Sequence, residues 1–186
     1  MREPRPLYGM GFFHVLESGW INEVVIFDYH DPDHYYHGLT SDELVEEKEA
    51  LAKNMQFYLD MEEVKLNGKP CFPRVIDVDI GFRGSIEYPY IVFIIVFKGE
   101  LKPGVNVFED IYEEETVEYG YRVYWMLPET GRFIEADLGV PYIITSGGRL
   151  LVFNVEPGVK VRGYEKIVFE VERINSPGGH RSTTRE

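Results

Sequence analysis

The run Asp28-Tyr29-His30-Asp31-Pro32-Asp33-His34-Tyr35-Tyr36-His37-Gly38 is the densest concentration of chemistry-bearing side chains in the sequence, and it holds three of the five histidines. Neutral imidazole is a good ligand for borderline divalent metals, and nearby carboxylates complete such ligand sets. Asp31 before Pro32 reads as a helix N-cap followed by proline at the first helical position, with Gly38 ending the turn. In such a turn His34 and His37 share a side at i, i+3, and Asp33 adjoins His37 at i, i+4. The chemistry this spacing allows is a site for zinc, nickel, iron or copper built on His30, Asp33, His34 and His37, with Asp28 or Asp31 as further donors. The run matches no standard metal motif such as HExxH. Histidines in an aromatic loop are more often capping or hydrogen-bonding groups, and a pH-sensitive or acid–base site is a further reading.

Other clusters are less specific. Glu109 to Glu115 is an acidic run whose oxygens suit a hard cation, yet it lacks the DxDxDG spacing of a calcium loop and reads as a solvated connection between strands. Asp77 and Asp79 stand on one face of a strand about 7 Å apart, a separation compatible with a glycosidase carboxylate pair and equally with an ordinary wet strand. Tyr35, Tyr36 and Tyr124 are candidates for an outward sugar-stacking platform. Cys71, the single cysteine, sits between Pro70 and Phe72 with no adjacent base and reads as a buried thiol. Gly147-Gly148 and Gly178-Gly179 lack the strand-to-helix context of a phosphate loop.

The elements that must position these residues are mostly strands. Short runs rich in Val, Ile, Phe and Tyr recur between Gly, Pro, Asn and Asp, the pattern of an antiparallel β-sandwich. About ten strands are expected, near residues 10–16, 22–29, 62–66, 71–82, 88–98, 105–112, 117–127, 132–136, 149–155 and 164–173. Alternation assigns Val117, Tyr119, Tyr121, Val123 and Trp125 to a core face, and likewise Ile167, Phe169 and Val171. Asn67-Gly68 suits a type I′ turn, which predicts a hairpin between 62–66 and 71–82 with Pro70 and Pro73 at an edge.

Residues 90–97, YIVFIIVF, are apolar on both faces, so something must cover the second one. The one amphipathic helix, residues 41–60, is the candidate. It opens with a Thr40/Glu43 capping box and carries Leu44, Leu51, Met55, Tyr58 and Leu59 at helical spacing.

At 186 residues, the chain is read as one domain over 1–174 with a disordered tail over 175–186, which has no apolar anchor. The formal charge of −13 has no basic stripe to offset it, which argues against nucleic acid as a partner. No run is long enough for a membrane-spanning helix and no secretory signal is visible, so a soluble, cytoplasmic protein is expected. Gln56 is the only glutamine beside abundant glutamate and arginine, a composition that leans towards a thermophile.

No assembled catalytic set is present, and whether the chain is an enzyme stays open. With the doubly apolar strand, this favours a non-catalytic module that binds a protein partner or forms a homo-oligomer. A metal-binding protein or metal-dependent enzyme using the histidine loop is the alternative, and a carbohydrate-binding module the second.

Overall fold

The computed structural model describes residues 3–172. The expected disordered tail and the end of the expected domain therefore lie outside the described residues.

Sixteen elements follow one another along the chain: β1 (Arg5–Val15), β2 (Trp20–His30), α1 (Tyr35–Gly38), α2 (Ser41–Leu59), β3 (Glu63–Leu66), β4 (Lys69–Pro70), β5 (Arg74–Phe82), β6 (Pro89–Lys98), β7 (Gly104–Ile111), β8 (Glu115–Thr116), β9 (Tyr121–Met126), β10 (Gly131–Asp137), β11 (Tyr142–Thr145), β12 (Leu150–Val155), β13 (Lys160–Val161) and β14 (Tyr164–Val171), besides a short 3-10 turn at Ser146–Gly148. They form a β-sandwich with a packed helix. One sheet has the order β11-β12-β9-β1-β2-β6-β5, the other β10-β14-β7-β3-β4, and β8 and β13 make a small ribbon. Pairing is antiparallel throughout except that β1 runs parallel to β9.

The inner faces meet in a core that includes Phe97, Trp125, Leu151, Phe108, Ile167 and Phe169, all nearly inaccessible to water. As expected, Ile167, Phe169 and Val171 point inward. Asn67 and Gly68 both adopt positive φ, as a type I′ turn requires. Their hairpin, however, joins β3 only to the two residues of β4. Pro70 stands on the edge strand as expected, but the chain then leaves through Cys71 and Pro73, and β5 joins the opposite sheet beside β6. The expected 117–127 strand is also two pieces. Val117 bonds to Val159 and accepts from Gly158, which commits it to the ribbon side, and β9 starts only at Tyr121.

Helix α2 begins with the expected capping box, Thr40 accepting from the Glu43 N–H and the Glu43 carboxylate accepting from the Thr40 N–H. Leu51, Ala52, Met55 and Leu59 pack with Val78, Ile91, Phe93 and Ile95 in a second apolar cluster. Tyr58 does not join it, being more than half exposed against the ring of Phe57. Gln56 clamps the helix to β5, accepting from the Val75 N–H at 2.9 Å and donating to the Pro73 carbonyl at 3.0 Å.

The helix covers the same face of β6 that the second sheet covers. Ile91, Phe93 and Ile95 meet the helix and Phe97 meets the sheet core. The alternate residues Val92, Ile94 and Val96 are half-buried and belong to neither cluster. The second face expected to lie under the helix is therefore uncovered among the described residues. Among those residues, too, no helix is long and apolar enough to cross a membrane.

Candidate functional site

The two faces of the seven-stranded sheet carry the features that packing alone does not explain. On the inner face, the inward ladder of β2 reads Ile21, Glu23, Val25, Phe27, so one carboxyl stands in an apolar row beside Phe13 of β1 and Ile95 of β6. The facing sheet changes character at the same level. Its inward residues pass from Phe108 to Asp110 on β7, from Ile167 to Glu165 on β14, and from Val64 to Glu62 ahead of β3. Asp110 and Glu165 are direct cross-strand partners.

Between the sheets at this end lies a cavity of about 680 Å³. Gly9 and Gly11 of β1 form part of its wall, where the missing side chains leave room. Val25, Phe27, Val123, Met55 and Leu59 supply apolar surface, and Tyr112, Tyr119 and Tyr121 supply aromatic surface. Glu115, Thr116 and Glu118 are exposed and mark its mouth.

No lysine, arginine or histidine lines this space among the described residues. Glu23 is only 8% exposed and makes no hydrogen bond or ion pair there. Oδ1 of Asp110 is buried without a partner, while Glu165 accepts from the Tyr112 hydroxyl at 3.3 Å. Burial first, and then the neighbouring carboxylates, push Glu23 and Glu62 each up to about 8. The same causes push Glu165 up to about 7, and burial raises Asp110 to about 6. The Tyr112 and Tyr121 phenols are raised by burial too.

The outer face shows the reverse. Register places Ile143, Val152, Tyr124, Phe12, Val24 and Ile94 in one row across β11, β12, β9, β1, β2 and β6. The adjoining rows contribute Met10, Ile26 and Val92 on one side and Leu150, Met126 and Val96 on the other. Phe12 and Tyr124 stack with centroids 4.9 Å apart, and the Arg122 guanidinium lies 5.2 Å over the Tyr124 ring. Ile143 is two-thirds exposed, and Phe12 and Met126 about two-fifths.

The histidine loop is built differently from its sequence reading. Its helical turn starts at Tyr35, not after Asp31, and His34 sits before it with φ of 57°, so the i, i+3 relation to His37 is lost. The Asp31 carboxylate instead accepts from the Tyr36 N–H at 3.1 Å. His30 stacks on Tyr88, His34 Nε2 lies 3.7 Å from Glu87, and His37 meets the edge of Phe82. Asp33 has its own interactions within the fold. Among the described residues no three His, Cys, Asp or Glu side chains gather in a group able to hold a metal ion.

The remaining sequence candidates separate. Asp77 accepts from the Val78 N–H at a bulge and Asp79 pairs with Lys48. Tyr36 is buried, and Tyr35 donates to Glu47 on the helix side of the sheet, opposite Tyr124. Cys71 is a buried thiol whose pKa burial raises.

Of the acidic run, Glu109 accepts from the Tyr164 hydroxyl outside the sandwich, Asp110 turns into the cavity and Glu115 stands at its mouth. Glu23, Glu62 and Glu165 were missed, although period-2 alternation carries a signal for two of them. Glu23 shares a face with Ile21 and Val25, and Glu165 with Ile167 and Phe169.

No family model and no curated protein matches the chain. Solved structures similar to it include the folded domain of the Mycobacterium tuberculosis LppM protein, at 8% identity and a TM-score of 0.47 over 94% of this chain and 95% of that one. An aminopeptidase N family protein from Idiomarina loihiensis aligns at 8% identity and a TM-score of 0.38, over 86% of this chain and 29% of that one. AChBP from Bulinus truncatus aligns at 9% identity and a TM-score of 0.26, over 92% and 91%. Similarity at this level carries no functional argument.

Proposed function

We propose that this domain is a non-catalytic binding module that self-associates through the outer face of its seven-stranded sheet. The observation that carries this reading is the row Ile143, Val152, Tyr124, Phe12, Val24 and Ile94, which crosses six strands without a formal charge and packs on neither core cluster.

A second copy of the chain is the occupant. Sheet faces pack on one another about 10 Å apart, and a two-fold axis brings a flat apolar row against its own copy. Six strands and three rows cover on the order of 500 Å² per copy, so a pair buries about 1,000 Å², the size at which specific interfaces begin. Charge favours the same choice. On a molecule of net charge −13, these rows hold Arg122 and His14 and, only at the β5 margin, Arg74, Asp77 and Asp79, so like-charged copies can approach here.

Sedimentation equilibrium tests the proposal. The wild-type chain is expected to dimerise, and Val24→Glu with Ile94→Glu to yield a monomer with an unchanged far-ultraviolet spectrum. A wild-type protein that stays monomeric, or a folded double variant that stays dimeric, contradicts it.

A further inference from the structure

The acid-lined cavity has no part in that association, because it opens between the sheets and not on the outer face. We propose that it is a binding site for an aliphatic organic ammonium ion, the charged head lying among Glu23, Glu62, Asp110 and Glu165 and the hydrocarbon body along Val25, Phe27, Met55 and Leu59.

Four observations converge on that ligand class. A volume of about 680 Å³ falls within the range of small-molecule sites and far exceeds the space of a single ion. The lining carries carboxyls from both sheets and no basic side chain among the described residues, so its charge is unanswered from within. Glu23 is more than nine-tenths buried, faces the cavity and has no hydrogen-bond partner there, and Oδ1 of Asp110 is likewise orphaned. Buried polar groups are almost always paired, so an unpaired carboxyl aimed into a cavity marks the place of an absent donor. An ammonium head brings three N–H donors and one positive charge, and the Tyr112, Tyr119 and Tyr121 rings add aromatic faces of the kind that attract cations. A metal ion fits less well: among the described residues no three of the acids form a metal-holding group, and Val25, Phe27, Met55 and Leu59 give the wall a hydrocarbon stretch that a bare ion would not use.

The groups around Glu23 also set a pH dependence. Glu62, Asp110, Glu165, Tyr112, Tyr119 and Tyr121 line the same space, with the exposed Glu115 and Glu118 at its mouth; Met55 and Leu59 of α2 are uncharged, and Phe13 and Ile95 flank it on its own sheet. With carboxyls raised to between about 6 and 8, protons occupy the site in mild acid and must leave before a cation can take their place. Aliphatic ammonium ions keep their charge across this range, as lysine does. Affinity therefore rises with pH, and binding releases protons.

Calorimetric titration of the full chain with hexylamine, hexanol, hexanoate, calcium and zinc tests the site. Saturable binding of hexylammonium is expected at about pH 8.5, roughly tenfold or more weaker at about pH 5.5, with hexanol and hexanoate at least about tenfold weaker than the amine. Glu23→Gln keeps the shape and removes the charge, and it should lose roughly tenfold or more in affinity for the amine while hexanol is unaffected. Glu109→Gln, outside the sandwich, should change nothing. If Glu23→Gln fails to fold, Gly11→Ala serves in its place, since a Cβ there meets the cavity-lining Phe13 and Val123 at ordinary contact distance, narrows the space and should weaken amine binding roughly tenfold or more. No saturable amine binding at the higher pH, hexanol binding as tightly as hexylamine, Glu23→Gln retaining full affinity, or calcium or zinc displacing the amine would each overturn the proposal.

Discussion

The two faces of the seven-stranded sheet invert the usual distribution of polarity. Glu23 and Val24 are neighbours on β2, yet the carboxyl points into the sandwich and the isopropyl group points out of it. Inward, Glu23 meets Glu62, Asp110 and Glu165 around a cavity. Outward, Val24 lies in an apolar row six strands wide. Buried acids without partners and exposed hydrocarbon without cover both cost stability in an isolated domain. What the pair of faces teaches is that the deviations are grouped, one kind to each face, and grouped deviations are those a binding partner can relieve.

Truncation on the two sides sharpens this contrast most strongly. Phe93→Ala removes a ring that is 4% exposed and packed between helix and sheet, and should cost about 3–5 kcal/mol in urea unfolding. Ile94→Ala, one residue on, should cost about 1 kcal/mol or less under conditions where the protein is monomeric, because its side chain touches neither core cluster. Equal losses at the two positions would mean that the outer face is covered within the monomer.

A smaller effect concerns pH. Glu23 and Glu62 have folded values near 8 against 4.5 in the unfolded chain, so the folded state binds more protons between those limits. Their contribution is complete below about pH 4.5 and is lost as pH rises through 8. Above pH 8, Glu23→Gln should therefore be more stable than wild type by on the order of 2 kcal/mol, the difference closing towards pH 4.5. Thermal unfolding across this range checks the sign, and a variant that is less stable at pH 8.5 would show that the carboxylate is paired in the folded protein. A similarly small change is expected at the helix that flanks the cavity: Thr40→Ala removes a capping box and should cost about 1 kcal/mol in urea unfolding.

Much of this fold was legible because strand alternation and helix capping are local. The capping box, the Asn67-Gly68 turn and the inward faces of β9 and β14 follow from side-chain periodicity and backbone sterics alone. What the sequence concealed is pairing at a distance. Nothing local shows that β5 crosses to the other sheet, that β1 pairs in parallel with β9, or that α2 lies on the same side of β6 as the second sheet.

The site was hidden for the same reason. Histidines adjacent in sequence drew notice, whereas Glu23, Glu62, Asp110 and Glu165 come from four separate segments that only the sandwich brings together. Their signal was single acids interrupting apolar ladders, visible at Glu23 and Glu165 but silent about their convergence.

Solvent exposure of the two β6 faces, followed against protein concentration, tests self-association most directly. With isoleucine methyls labelled and a soluble paramagnetic agent in the buffer, Ile91 and Ile95 should be shielded at every concentration. Ile26 and Ile94 should be shielded in concentrated samples and become exposed on dilution, in step with dissociation measured by sedimentation. Ile26 and Ile94 methyls that relax equally at all concentrations would contradict a dimer built on this face.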